Sequence, residues 1–303
     1  MGSTIAANPR ASPWPGLALA GAGSIAFSGK AIIVKLAYRH GVDAVTLIMY
    51  RMLFALPLFA LLAWWSGRGK PALTRRDWTA IVGLGFSGYY LASFLDFAGL
   101  AYISAGLERL ILYLNPTIVL LLSVLLFGRH AGARQWLAMA VSYAGVVIAF
   151  GHEVSLAGSD AVLGALLVFA SAVSYAVYLV YSGEEVRRLG ALRLTGLATS
   201  VACLLCIAQF LLLRPLAAAA VPPEVIWLSV LNAVACTFAP VLMVMMAIER
   251  VGASATAQVG MIGPLSTIAM GVLILGEPFT AGLALGTVFV RAGIWLLARA
   301  RAA

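Results

Sequence analysis

The sequence predicts an all-α integral membrane protein whose ten transmembrane helices form two inverted five-helix repeats. Hydrophobic residues make up 63% of the 303 positions and charged residues only 10%, and the mean hydropathy is +1.01. A soluble domain of this size could not cover its surface with so few charges, so most of the surrounding solvent must be lipid. Apolar stretches of membrane-spanning length recur ten times, and the second half of the chain repeats landmarks of the first.

Each of the ten apolar stretches approaches the roughly 20 residues that a helix needs to cross the hydrocarbon core of a bilayer. The stretches are rich in Leu, Ala, Val and Gly and show no period-2 alternation, which indicates helices and not the strands of a membrane barrel. The links between them are too short to hold a soluble domain. The predicted spans are residues 16–38, 43–65, 78–101, 104–127, 132–150, 161–182, 191–213, 224–248, 252–276 and 279–299.

Residues 1–15 precede the first span and contain three prolines. We predict that they form a flexible cytoplasmic tail. The first span has no small-residue cleavage site and carries Lys30 and Lys35, so it is interpreted as a retained helix and not as a removable signal.

The formal charge of +9 is distributed unevenly along the chain. When successive links are assigned alternately to two sides of a membrane, thirteen of the twenty Lys and Arg residues fall on one side. Two, Arg39 and Arg214, fall on the other side, and five lie within spans. Because loops rich in Lys and Arg stay in the cytoplasm, we predict cytoplasmic termini and a multi-pass protein of a bacterial-type inner membrane. The charge orients the protein, and no nucleic-acid partner is predicted.

An offset of 148 residues aligns residues 105–145 with residues 253–293 without a gap, and Gly41 aligns with Gly190 after a slip of one residue. Asn115-Pro116 then falls on Gly263-Pro264, and Gly128 falls on Gly276. Single matches of Gly or Ala carry little weight in such a sequence. An ungapped alignment around two prolines in the middle of spans is stronger evidence, and it indicates an internal repeat.

Each half contains five spans, so residues 16–150 and 161–299 are predicted to be the first and second repeats. Because five is an odd number, the second repeat enters the membrane from the opposite side, and the repeats are inverted. Inverted repeats are typical of secondary transporters, in which the substrate site lies near the bilayer midplane between them.

Two segments, SAGLERLILYLNPTIVLLLSVLLFGRH (104–130) and GASATAQVGMIGPLSTIAMGVLILGEP (252–278), share a small-residue start and a central proline. In two five-helix halves with cytoplasmic termini, they resemble the fourth helix of each repeat in EamA-type members of the drug/metabolite transporter (DMT) superfamily. Gly276-Glu277 fits the Gly-Glu that ends this helix in the family. Gly128-Arg129 departs from it, which leaves the role of the acidic residue open in the first half.

The resemblance implies a secondary transporter that exports small amphipathic metabolites by alternating access around a central cavity. Within the superfamily the sequence resembles YddG-type exporters of aromatic amino acids and methyl viologen. This likeness implies amino acids, aromatic or otherwise neutral, as substrates. Cationic drugs such as methyl viologen, or other metabolites, are the alternative.

Pro116 and Pro264 are predicted to break the fourth helix of each half near the midplane. Each proline lacks a backbone donor and displaces the carbonyl four residues earlier. A freed carbonyl is costly in lipid unless protein or water satisfies it. Such a break suits a helix that faces a cavity, where Asn115 offers a donor and an acceptor. Pro116, Gly263 and Pro264 are therefore the predicted gating or kink positions. The alternative is that the prolines only bend the helices for packing and that Asn115 caps a carbonyl.

Tyrosines at mid-depth could form aromatic walls whose hydroxyl groups find partners inside a cavity. Ordinary packing is the alternative for each of them. The residues predicted to contact a substrate are Lys30, Tyr89, Tyr90, Asn115, Tyr175, Tyr178 and Gln258.

Charged residues within spans should face protein or water, because a charge at the bilayer centre costs about 2.5–3.5 kcal/mol on insertion scales. Lys30 or Arg51 could attract a substrate carboxylate, or could belong to an internal ion pair. Arg51, Asp96 and Glu108 are the candidates for ion coupling or ion pairing. For Glu108, an ion pair near the end of its span is the alternative to a gate or a proton-coupling group.

Several other functions find little support in the sequence. No Walker, HExxH or GxSxG motif occurs, so neither ATP hydrolysis nor an intramembrane enzyme is predicted, and no cofactor or metal site. The letters GLGFSG at 83–88 match a dinucleotide fingerprint but lie inside a span without a preceding strand. The GxxxG of Gly282 and Gly286 suggests close helix packing or a homodimer through the last helix. A further alternative to a transporter is a membrane protein that binds partner proteins and transports nothing.

Overall fold

The computed structural model describes residues 14–128, 132–157, 160–260 and 262–302. For residues 152–157, 184, 249, 252–255, 257, 258, 297, 298 and 300–302 it describes the backbone alone. The predicted flexible tail lies almost wholly outside the described residues. Every regular element within the described ranges is a helix.

Thirteen α-helices follow one another along these ranges, with three π-helical segments and a 3₁₀ turn between some of them. They are α1 (Trp14–Tyr38), α2 (Ala44–Gly67), α3 (Arg75–Leu84), α4 (Ala92–Leu100), α5 (Ala105–Leu112), α6 (Asn115–Phe127), α7 (Ala133–Ala157), α8 (Asp160–Leu189), α9 (Ala191–Leu213), α10 (Pro223–Ala233), α11 (Ala239–Gly260), α12 (Gly263–Met270) and α13 (Ala281–Ala302).

The helices give the ten predicted spans. In the part of the chain that the structure describes, eight helical segments are long and apolar enough to cross a membrane. Two shorter apolar helices, Gly263–Leu275 and Ala281–Leu296, supply the ninth and tenth spans. Most bounds agree with the prediction, but the sixth helix extends to Leu189 instead of ending at residue 182.

The predicted loop between the eighth and ninth spans is wrong in detail, because helical hydrogen bonding continues through α11. The chain nevertheless reverses direction near Arg250, since two stretches of α11 run away from the same end of α1. The neighbouring pairs along α1 are Gly16 with Val251, Gly23 with Met243 and Ser24 with Gly260. A tight helical turn therefore replaces the loop.

Packing between the two halves follows a pseudo-two-fold pattern. The first helix of one half, α1, packs on α11 and α12 of the other, and α8 correspondingly packs on α4 and α6. The second helices, α2 and α9, pack against each other, as do the fifth helices, α7 and α13. These exchanged contacts confirm the predicted fold class of two five-helix repeats.

Glycines at equivalent positions of the repeats have the same backbone role. Gly128 ends α6 and Gly276 ends the ninth span, each in the left-handed region, with φ of 61° and 72°. A residue with a Cβ is strained in that conformation, so glycine stops both helices cleanly. The two repeats therefore match even in the backbone conformation of the glycine that ends the fourth helix of each.

The pair α7–α13 is held by backbone contact at glycines. A Cβ at Gly286 would lie 2.6 Å from the carbonyl oxygen of Gly145, and a Cβ at Gly293 would lie 2.1 Å from Ser142 Oγ. The close packing predicted for the last helix is thus made within the chain. A homodimer through this helix stays a prediction.

Two spans contain a π-helical segment at equivalent positions, Gly85–Leu91 in the third span and Val234–Phe238 in the eighth. A π-turn inserts an extra residue into the helix and often marks a functional site. Each insertion turns the following side chains to a new face. Both segments lie beside the central cavity described below.

Candidate functional site

A cavity lies between the repeats, where the two π-helical segments and the broken fourth helix meet. Its water-accessible volume is about 230 Å³, far more than the roughly 10–15 Å³ that one water needs. Its walls come from spans of both repeats. They are formed by Phe27, Lys30, Arg51, Met52, Phe59, Gly88, Tyr89, Ala92, Ser93, Asp96, Arg109, Leu112, Tyr113, Asn115, Ser171, Tyr175, Thr199, Thr237 and Val241.

The break in the first repeat brings Asn115 to the wall of this cavity. Helix α5 ends at Leu112 and α6 begins at Asn115, with Pro116 in its first turn. The Asn115 side-chain amide donates a hydrogen bond to the carbonyl oxygen of Leu112 at 2.8 Å, while its Oδ1 atom has no partner among the described residues. Asn115 therefore caps a freed carbonyl and also presents an acceptor at the cavity.

Helix α1 packs against the break in the second repeat. Helix α12 begins at Gly263 with Pro264 in its first turn, and Ser28 Oγ donates a hydrogen bond to the Gly263 carbonyl oxygen at 2.7 Å. A Cβ at Gly263 would lie 3.2 Å from Ser28 Oγ. Gly263 thus lets α1 reach the broken backbone, and neither it nor the two prolines lines the cavity.

Lys30 is the centre of a buried charge cluster. Its Nζ atom lies 2.5 Å from Asp96 Oδ2 and 3.5 Å from Glu108 Oε1. Glu108 is fully buried, and its Oε2 atom lies 3.8 Å from Arg109 Nε. Arg109 Nε also donates a hydrogen bond to Thr267 Oγ1 at 3.0 Å, which ties the first repeat to the second. Each of the two carboxylates therefore has a cationic neighbour, as burial in a membrane requires.

Arg51 lines the cavity without belonging to that cluster. Its Nε atom donates a hydrogen bond to Thr237 Oγ1 at 3.1 Å, and its guanidinium lies 5.1 Å from the centre of the Phe97 ring. Thr237 belongs to the π-helical segment of the eighth span and itself donates to the Asn232 carbonyl oxygen at 2.8 Å. The Nη1 atom of Arg51 has no partner among the described residues.

A group of tyrosines also contributes to the site. The Tyr89 and Tyr178 hydroxyl oxygens are 3.1 Å apart, and the Tyr175 ring stacks on Tyr178 with centroids 5.5 Å apart. Tyr89 and Tyr175 line the cavity, whereas Tyr178 lies behind them. Gly88 makes room for this arrangement, because a Cβ there would lie 2.4 Å from Tyr178 Cγ.

The predicted substrate contacts are thus only partly brought together. Lys30, Tyr89, Asn115 and Tyr175 line the cavity, as do Arg51 and Asp96. Tyr90 does not, because its ring packs beside Phe86 on another face of the π-helical segment. The side chain of Gln258 lies outside the described residues.

Sequence reasoning passed over several small polar residues of the wall. Ser93 lies four positions after Tyr89 and three before Asp96, and Ser171 lies four before Tyr175. These spacings put the residues on one helix face with residues that were predicted. Spacing along one helix face could therefore have identified these residues, although the π-turn at Gly85–Leu91 changes the helical period in the third span.

Several hydrogen bonds join helix ends on the face of the bundle opposite the Arg-rich loops. Lys35 Nζ and the Tyr38 hydroxyl donate to carbonyl groups at the end of the third span, Ile103 at 3.0 Å and Phe97 at 2.5 Å. Two further bonds join the repeats. They are Arg39 Nη2 to the Leu275 carbonyl at 2.6 Å and the Ala105 N–H to Glu277 Oε1 at 2.9 Å.

Comparisons with known proteins agree with this architecture. The profile of the EamA-like transporter family matches residues 14–151 and, a second time, residues 162–299. The chain is 30% identical over 272 residues to the uncharacterized transporter YcbK of Bacillus subtilis (strain 168), which covers 84% of this chain and 83% of that protein. A crystal structure of a protein that is 19% identical superposes with a TM-score of 0.63 and covers 96% of this chain and 99% of that one. At that identity the likeness concerns the fold.

Proposed function

The chain belongs to the EamA-like transporter family, and on that premise we propose that it exports small amphipathic metabolites, above all amino acids. In this proposal the substrate occupies the cavity between the repeats and reaches the two sides of the membrane by alternating access. The coarser statement, a multi-pass membrane transporter of the DMT type, follows directly from the family.

The observation that carries the proposal is the mixed lining of the cavity. It includes the polar side chains of Arg51, Lys30 and Asp96 and the rings of Tyr89 and Tyr175. A molecule with a charged head and an apolar or aromatic body matches both kinds of lining. Neutral amino acids, aromatic ones included, have this form.

The balance of charge favours amino acids over cationic drugs. Around the cavity, Lys30, Arg51 and Arg109 face only two described carboxylates, those of Asp96 and Glu108. With all five ionised, the group carries one excess positive charge. A dication such as methyl viologen would meet repulsion there, whereas a carboxylate would be attracted.

Export is the direction that we propose from the resemblance to EamA-type exporters. The excess of Lys and Arg assigns the Arg-rich loops to the cytoplasm, so in this proposal the cavity loads from the cytoplasm of a bacterial-type cell. Asp96 and Glu108 remain our candidates for ion coupling.

A counterflow assay tests the proposal. The purified protein is reconstituted into liposomes loaded with one unlabelled amino acid, and uptake of labelled phenylalanine, leucine, alanine, a diamine and methyl viologen is compared. We expect the neutral amino acids to exchange, and Tyr175→Ala to slow phenylalanine most. Tyr181→Ala is the matched control, because Tyr181 is half-exposed and lies outside the cavity wall. If folded protein exchanges the cations and no amino acid, the proposal is wrong.

A further inference from the structure

We propose that Arg51 binds the carboxylate of the substrate and so restricts this transporter to molecules that carry one. The inference rests on the proposed function and specifies its chemistry. It chooses among the three cations of the cavity wall, Arg51, Lys30 and Arg109, on the grounds of what already surrounds each of them. Arg109 lies 3.8 Å from the buried carboxylate of Glu108 and so already has an anionic neighbour.

Lys30 is already neutralised by the protein. Its single ammonium group lies within ion-pair distance of two carboxylates, Asp96 at 2.5 Å and Glu108 at 3.5 Å. A substrate carboxylate would have to compete with both, in a site where separating a buried pair is costly. Lys30 therefore serves the internal cluster and not the substrate.

Arg51 has the opposite environment. Only 5% of its surface is exposed, and no carboxylate of the described residues lies within 4.0 Å of its guanidinium. Its Nη1 atom is buried without a hydrogen-bond partner. An unsatisfied buried donor on a charged group is expensive, and a carboxylate bound there would remove the penalty.

The guanidinium is also held in place before any substrate arrives. Thr237 Oγ1 accepts its Nε–H at 3.1 Å, and the Phe97 ring lies against it. Thr237 is fixed in turn by its own hydrogen bond to the Asn232 carbonyl. A planar donor that is oriented in advance loses little freedom on binding a carboxylate, which strengthens the interaction.

Only the first repeat supplies a cation at the position of Arg51. The offset of 148 residues pairs Arg51 of α2 with Thr199 of α9, and both line the cavity. Because threonine carries no charge, only the first repeat offers a cation at this position. A substrate with one carboxylate therefore binds in one orientation, with the remainder of the molecule free to reach Tyr89 and Tyr175.

A matched pair of ligands tests the assignment. Dissociation constants for phenylalanine and phenylalaninamide, which differ only at the carboxyl group, are measured calorimetrically on the protein in nanodiscs. We expect the wild type to prefer phenylalanine by about ten- to a hundredfold, the range of a hydrogen bond to a charged group. Arg51→Gln should abolish the preference, and Arg51→Lys should keep part of it, because lysine retains the charge without the fork of donors.

Two variants separate Arg51 from its alternatives. The double variant Lys30→Gln/Asp96→Asn alters two residues of the cavity wall and should change the affinity for both ligands by the same factor, so that the preference for phenylalanine remains. Arg214→Gln, whose side chain is 41% exposed and far from the cavity wall, should change nothing. If Arg51→Gln does not fold, Thr237→Val, which removes the acceptor that orients the guanidinium, should lower the preference severalfold.

The outcomes distinguish a failure of the assignment of Arg51 from a failure of the proposed function. A wild type that transports amino acids but binds both ligands equally would overturn the assignment of Arg51 and leave the proposed function standing. A preference that survives in Arg51→Gln, or is lost in the double variant, would also overturn it. A wild type that binds and transports neither ligand nor any amino acid would refute the proposed function itself.

Discussion

The ammonium of Lys30 lies 2.5 Å from the carboxylate of Asp96, and the two residues are separated by 66 positions in the sequence. Lys30 belongs to the first span and Asp96 to the third, and both are nearly fully buried. The contact joins helices of the first repeat beside the cavity. It explains how a bundle in lipid can hold charges at mid-depth.

This pair should matter far more to stability when it is broken than when it is replaced. Asp96→Asn leaves Lys30 with the more distant Glu108 alone, and we expect a loss of about 3–5 kcal/mol in the free energy of unfolding. The double variant Lys30→Met/Asp96→Leu should lose much less. Chemical unfolding in detergent, followed by circular dichroism, measures both.

The exposed pair of Arg214 and Asp43 is the control for that experiment. Their atoms lie 3.1 Å apart, but both side chains are more than a third exposed. Arg214→Gln should therefore cost no more than about 1 kcal/mol. Equal losses from the buried and the exposed pair would contradict the role that we assign to Lys30.

Glu277 is predicted to hold the two repeats together on the face opposite the Arg-rich loops. Its carboxylate accepts the N–H of Ala105, the first residue of α5, where a helix has unsatisfied donors and favours negative charge. Glu277→Ala should cost about 1 kcal/mol, the usual value of a lost cap, and should speed substrate release on that side. Glu277→Gln, which keeps an acceptor, should retain most of the stability. Unfolding curves and the rate of efflux from liposomes give the two readouts.

Gly286 should tolerate no side chain. The carbonyl oxygen of Gly145 lies where a methyl group would need to be, so Gly286→Ala should push α7 and α13 apart and cost about 1–3 kcal/mol. Gly83→Ala is the matched control, because a Cβ there meets nothing within 4 Å, and it should be neutral or slightly stabilising.

Light scattering on the same two variants addresses the predicted homodimer. If α13 packs only within the chain at Gly286, the mass of the detergent-solubilised particle should not change in Gly286→Ala while its stability falls. A change of mass without loss of stability would show instead that this glycine lies in an interface between copies.

Asp43 should give the protein part of its sensitivity to acid. It precedes α2, where its partial burial raises the pKa, but hydrogen bonds from Thr46 and the contact with Arg214 outweigh burial and bring the pKa below the ordinary value of 3.8. A carboxyl whose pKa is lower when folded stabilises the fold above its unfolded pKa and loses that effect as the pH falls through the folded value.

The measurement is the difference between the wild type and Asp43→Asn in unfolding free energy from pH 6 down to pH 2. We expect the difference to be constant above about pH 4 and to shrink below it. A difference that does not depend on pH would mean that Asp43 acts only as a helix cap, a role that asparagine also fills.

The positions of the spans follow from sequence alone because lipid leaves the chain few choices. A helix must satisfy its own backbone and be about 20 apolar residues long, so hydropathy located the ten spans, most of them within a few residues of their observed bounds. The repeat offset placed the breaks at Asn115 and Gly263, because it aligned a proline in the middle of both spans. A proline removes one helical hydrogen bond and disfavours the preceding turn, although α2 continues through Pro57.

Contacts between helices required the tertiary structure. The sequence showed that Lys30, Arg51 and Asp96 lie within spans. No periodicity tells which of the two cations pairs with Asp96, because that depends on distances between spans far apart in sequence. The π-helical segments Gly85–Leu91 and Val234–Phe238 were equally invisible. They turned Tyr89 toward the cavity and Tyr90 away from it.

Sequence by itself thus determined the membrane, the number of crossings, the inverted repeat and the depth of the helix breaks, because each depends on local hydrophobicity or local backbone chemistry. Only the tertiary structure decided that Lys30 pairs with Asp96 and that Arg51 Nη1 has no partner among the described residues. Pairing is a property of distances between side chains on different helices, and packing sets those distances.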